Sequence, residues 1–223
     1  MIIYNCRIIT WGNPNRILDD YAVRIVNDRI DKLAQQHDLL LQFPRDEKID
    51  AKGQILMPGM ICAHTHFYGV FSRGMAIPGD APADFVEILK KLWWPLDQSL
   101  EEEDVYYSAL VCIVDAIRHG TTTVFDHHAS PGFINGSLDV IEKAVIETGI
   151  RASLCYEVTD RGGEDKAQAG IEENVRMIEK LRNQPPGSQT IAMFGLHAGL
   201  TLSDETLKKS RKSIQEGYGF HIH

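Results

Sequence analysis

Residues 55–66 read ILMPGMICAHTH. This is a nearly unbroken apolar run that ends on two histidines one residue apart. Such a run predicts a strand buried on both faces, as in a parallel sheet. Residues i and i+2 of a strand point the same way, so His64 and His66 project together. Two imidazoles so placed suit one metal ion. The plain alternative is a chance pair, or a polar pair satisfied within the fold. No CxxC accompanies the histidines, so a metal here is expected to be catalytic rather than structural.

Downstream of this stretch, strand and helix patterns alternate. A long loop follows His66, and Ser99 with Glu102 reads as a capping box opening a helix that Gly120 ends. TTTVFDHH (121–128) is the next strand, and SLDVIEKAVIETG (137–149) the next helix, stopped by Gly149. Then come IRASLCYEV (150–158), the amphipathic GIEENVRMIEKLR (170–182), QTIAMFGLHAG (189–199), SDETLKKSRKSIQEG (203–217) and YGFHIH (218–223). Alternation of this kind predicts an α/β fold with a parallel sheet. Five strands and four intervening helices fit a partial (β/α)8 barrel, about five of eight strands, over residues 56–223. An open doubly wound sheet is the alternative, but no GxGxxG follows a strand. Upstream, residues 1–55 hold short β-branched runs and read as a small β-module rather than a helical one. Asn27-Asp28 between two apolar runs marks a hairpin turn.

The chain has nine histidines, and His64, His66, His127, His128, His197, His221 and His223 all fall at or just after a predicted strand end. In a barrel of this type that rim carries the active site. The closing FHIH (220–223) repeats the H-x-H spacing on a second strand.

Composition narrows the partners. Among 223 residues 43% are hydrophobic, the net charge is −8, and no basic block occurs. A small-molecule substrate is expected, not nucleic acid. No apolar run reaches the roughly 18 residues of a membrane span. The start, MIIYNCRIIT, lacks a signal-peptide pattern, and Cys6, Cys62, Cys112 and Cys155 are scattered thiols suited to a reducing compartment. A cytoplasmic protein is expected; self-association is left open.

ILMPGMICAHTHF, with Pro58-Gly59 ahead of the H-x-H strand, resembles the amidohydrolase superfamily. HGTTTVFD, GLHAGLTLSDE and HIH continue the likeness along the whole chain. It is similar to the chlorohydrolase and aminohydrolase branch, and FYGVFSRGM, LKKLWWPLD and FDHHASP resemble the SsnA-type aminohydrolases. The resemblance implies a β-sandwich module, to which residues 1–55 contribute, beside a barrel. It implies His64, His66 and His223 as metal ligands and His197 as a catalytic, substrate-contacting histidine. No lysine lies in GLHAGLT, so one divalent ion is expected, zinc or iron(II). The implied reaction is hydrolysis of a non-peptide C–N bond, as in deamination of a heterocycle or amidine-like carbon. Hydrolytic dechlorination, cyclic amide hydrolysis and a non-catalytic metal-binding fragment stay open. The family's acid–base glutamate falls three positions past His223, and its later histidine and aspartate have no counterpart. The resemblance therefore implies an N-terminal fragment, cut at strand five and inactive alone.

Other residues carry weaker readings. His128 is expected to bind substrate, while Asp126, His127 and His128 together either line the pocket or bond within the rim. Arg73 is taken as a substrate contact, with a structural arginine as the alternative. Trp93 and Trp94 are expected to pack the long loop, a candidate lid. Asp160 is expected to hold a loop.

Overall fold

A computed structural model describes residues 1–185, 187–214 and 216–223. The chain forms two compact units, Met1–Gly59 and Met60–His223.

In the first unit, β1 (Ile2–Tyr4), β2 (Arg7–Ile9), β3 (Ile17–Leu18), β4 (Tyr21–Val26) and β5 (Arg29–Gln35) precede a helix α1 (Gln36–Gln42), then β6 (Lys48–Asp50) and β7 (Ile55–Leu56). They make two small sheets, in the orders β5-β4-β1-β6 and β3-β2-β7. Asn27-Asp28 is the hairpin turn between β4 and β5, with Asn27 at φ 56°. The helix α1 corrects the expectation of an all-β module. Its Leu39 is fully buried with Ile2 and Ala22, and that burial stabilises a helix too short to stand alone.

The second unit contains β8 (Met60–Thr65), α2 (Phe85–Ile88), α3 (Trp94–Gln98), α4 (Glu102–Arg118), β9 (Thr121–His128), α5 (Ser137–Thr148) and β10 (Arg151–Tyr156). It continues through α6 (Glu164–Arg182), β11 (Thr190–Ala192), β12 (Phe194–Leu196), α7 (Asp204–Ser213) and β13 (Phe220–Ile222). Every strand pair here is parallel: β8 with β9, β9 with β10, β10 with β11, and β12 with β13. The five expected strands therefore stand side by side in chain order.

Three local expectations are corrected. Residues 55–66 are not one strand. Ile55 and Leu56 pair with β2, and Met60–Thr65 pair with β9. Pro58, which lacks an N–H, lies in the link between them. β8 is also not buried on both faces: Ile61 is 66% exposed, and among the described residues the strand pairs only with β9. The α4 capping box uses Glu101 and Asp104, not Ser99 and Glu102. Ser99 closes α3, where its hydroxyl donates to Leu96 O at 2.7 Å. The long loop is helical over 85–98, opened by Asp84, whose carboxylate accepts from Glu87 N.

The fourth strand is broken at Met193, and the break is stitched from α6. Asn174 is fully buried. Its Oδ1 accepts from Tyr156 N (2.9 Å) and Gly195 N (3.1 Å), and its Nδ2 donates to Tyr156 O (2.8 Å). Gly195 is required at this point, since a Cβ there would lie 2.2 Å from Tyr156 O. The close approach carries β12 past β10 and sets His197 on the rim.

Candidate metal centre and cavity

The strand ends of the second unit bring His64, His66, His127, His197, His221, His223 and Glu157 together. The hydrogen bonds fix which nitrogen of several rings carries its proton, because a carbonyl oxygen only accepts. His66 Nδ1 donates to His127 O at 2.6 Å. His223 Nδ1 donates to His197 O at 3.2 Å. His127 Nε2 donates to Leu196 O (3.1 Å) and His221 O (3.2 Å). Each neutral ring is left with one bare nitrogen: His66 Nε2, His223 Nε2 and His127 Nδ1. These three and the Glu157 carboxylate lie within 4.8 Å of one another. His66 Nε2 and His223 Nε2 are 3.0 Å apart, and His127 Nδ1 is 3.2 Å from Glu157 Oε2.

Lone pairs that face each other repel unless a cation or proton lies among them. The donor set fits a divalent ion: imidazole and carboxylate ligands suit zinc or iron(II), and rings locked by N–H to carbonyl bonds are the usual outer support of such a site. Burial pushes His66 down to about 3, and His127 and His223 to about 4. The rings are thus neutral at pH 7, the form that ligates.

The sequence-expected residues divide as follows. His66 and His223 meet at the cluster. His64 stands beside it, its ring centroid 4.9 Å from His66 and 4.8 Å from His223, while its Nδ1 pairs with His221 Nε2 at 2.8 Å. Its Nε2 takes part in no hydrogen bond among the described residues. His197 is buried, its Nδ1 bonded to Thr201 Oγ1, with Nε2 3.7 Å from Glu157 Oε1. His128 does not join them. It is fully buried, donates from Nε2 to Ser130 Oγ at 2.8 Å and lies outside the cavity. Arg73 is also elsewhere, its guanidinium on Asp115 at 2.9 Å. Asp126 bonds Phe67 N, and Asp160 holds the start of α7 through Ser203 N and Thr206 Oγ1.

Above the cluster lies a cavity of about 340 Å³. His64, His66, Glu157, His197 and His223 line it together with Tyr68, Phe85, Leu89, Trp93, Trp94 and Asp97. Both tryptophans therefore wall the cavity as well as pack the segment. Asp97 forms a buried bidentate pair with Arg161. Glu157 was missed by sequence reading. It sits one residue past the last β10 position, and no motif singles it out.

The amidohydrolase family model matches residues 55–223. The chain belongs to the amidohydrolase family. Among curated members, it is 35% identical to a 5'-deoxyadenosine deaminase of Methanosarcina mazei over 80% of this chain and 39% of the relative. It spans less than half the length of the curated relatives it matches. Among solved structures, a zinc-bound adenosine deaminase of Xanthomonas campestris superposes with a TM-score of 0.72 at 21% identity, covering 99% of this chain and 49% of that one. The zinc complex of the atrazine chlorohydrolase TrzN of Arthrobacter aurescens TC1 superposes at 0.76 and 19% identity, over 100% of this chain and 52% of that one. These likenesses agree with the barrel architecture. No helix among the described residues is long and apolar enough to cross a membrane.

Proposed function

We propose that this chain carries the metal-binding half of a cytoplasmic aminohydrolase, which splits a non-peptide C–N bond of a heterocycle or amidine-like small molecule and releases ammonia. The observation that carries the reading is the convergence of His64, His66 and His223 on the floor of an aromatic-walled cavity, with the bare nitrogens of His66 and His223 3.0 Å apart. His64, His66 and His223 are the proposed ligands of one ion. Zinc is favoured because the Xanthomonas campestris structure holds it. Such an ion, when bound, acts as a Lewis acid and activates water. The relatives named as deaminases support ammonia as the leaving group.

The chain's own residues supply the rest. Trp93, Phe85 and Leu89 offer a flat apolar surface that takes a ring out of water. His197, held by Thr201 through Nδ1, presents its Nε2 side to the cavity, where it orients substrate or takes a proton. In the complete protein, the His197→Ala variant is expected to keep its metal and lose about 10²-fold or more in kcat. Elemental analysis beside steady-state rates checks this; a loss of metal instead would make His197 part of the ligand sphere.

The function itself is tested by offering 5'-deoxyadenosine, guanine, cytosine and a chlorinated triazine to the zinc-loaded complete protein that contains this chain, with ammonia and chloride both measured. Ammonia release that depends on zinc is the expected result. Chloride release alone would replace deamination by dechlorination.

A further inference from the structure

Glu157 is 3% exposed, yet no N–H or O–H donor among the described residues hydrogen-bonds its carboxylate. Two bare ring nitrogens stand beside it. His127 Nδ1 stands 3.2 Å from Oε2, and this ring's proton is committed to carbonyls through Nε2. His197 Nε2 stands 3.7 Å from Oε1. The Thr201 hydroxyl donates to Ala198 O, so it accepts from His197 Nδ1, and the neutral ring keeps its proton there. A carboxylate buried without a donor is costly. Because Glu157 lines the cavity, the missing donor can arrive with a ligand. A proton shared with His127 would sit at Oε2, leaving Oε1 an acceptor.

We propose that Glu157 is a specificity residue that accepts an N–H of the substrate, and that the preferred substrates carry hydrogen on the ring nitrogen next to the amine-bearing carbon. The inference rests on the aminohydrolase reading. The carboxylate lies within 4.8 Å of the nitrogens of His66 and His223, so the edge it reads is the one beside the reacting carbon. Guanine and isocytosine present such an N–H. Adenine and cytosine present a bare ring nitrogen there, which a carboxylate repels. A site built to pair with a hydrogen-bonding group discriminates far more strongly than an apolar one.

The test, on the complete protein that contains this chain, compares ammonia release from guanine, isocytosine, adenine, cytosine and 5'-deoxyadenosine by wild type, Glu157→Gln and Glu157→Asp, with zinc measured in each. Wild type should favour the first two. Glu157→Gln, with zinc retained, should lose about 10²-fold in kcat/KM on guanine and isocytosine and much less on the other three. Glu157→Asp, which keeps an acceptor, should fall between. An unchanged preference with full zinc overturns the proposal, and so does loss of zinc in Glu157→Gln, which would make Glu157 a ligand. Release from 5'-deoxyadenosine alone, whose neighbouring ring nitrogen is bare, overturns the proposal; if wild type releases ammonia from none of the five, the aminohydrolase reading falls separately. Isocytosine binding by calorimetry then decides: at least tenfold weakening in zinc-loaded Glu157→Gln supports the acceptor role, and equal affinity overturns it.

Discussion

In the complete protein, replacing His66 by alanine is expected to leave well under one equivalent of zinc, and no activity. His66 is tied into the cluster through both ring nitrogens. Its Nδ1 is anchored on His127 O and its Nε2 is turned to His223 Nε2. Loss of an outer supporting partner alone costs a metal site about 10- to 100-fold in affinity, and loss of a ligand exceeds that. His119 is the control: it is an exposed histidine that bonds Asp115 O on its own helix, away from the cluster. His119→Ala should keep its zinc. Elemental analysis of the two variants side by side decides the matter, and full zinc in His66→Ala would remove this residue from the site.

Asn174→Leu is expected to be the most destabilising single change outside the metal cluster. The side chain satisfies Tyr156 N, Gly195 N and Tyr156 O at once, where the sheet is interrupted. A leucine of similar size excludes water and leaves all three unpaired. At about 1–3 kcal/mol for each of the three buried unsatisfied groups, the loss is about 3–9 kcal/mol. That is a large share of the roughly 5–15 kcal/mol that holds a domain together. Denaturant titration measures it directly. A midpoint within about 0.5 kcal/mol of wild type, the range of ordinary surface changes, would mean that the break between β10 and β12 closes without Asn174.

The barrel strands were legible because their signals are local. Alternating apolar periods, Gly120 and Gly149 at helix ends, and the Asn27-Asp28 turn each act within a few residues. The capping box was misplaced by two residues because Ser99 and Glu101 are both competent caps. Only the preceding helix, which takes Ser99, chooses between them. The apolar run 55–66 was read as one strand because composition does not show which sheet a residue joins.

The sequence by itself determined the α/β alternation and the placing of seven histidines on strand ends, including two H-x-H pairs on different strands. These follow from the period of the strand, which any reader of the chain can count. The tertiary structure alone decided which nitrogens are bare. His66 takes its partner 61 residues away, and His127 takes one of its partners 94 residues away. It also put Glu157, an unremarked residue of the third strand, between His127 and His197, and it sent Arg73 and His128 elsewhere. A ring's tautomer and a carboxylate's missing donor depend on groups that meet only when the sheet assembles. Local sequence carries no trace of them.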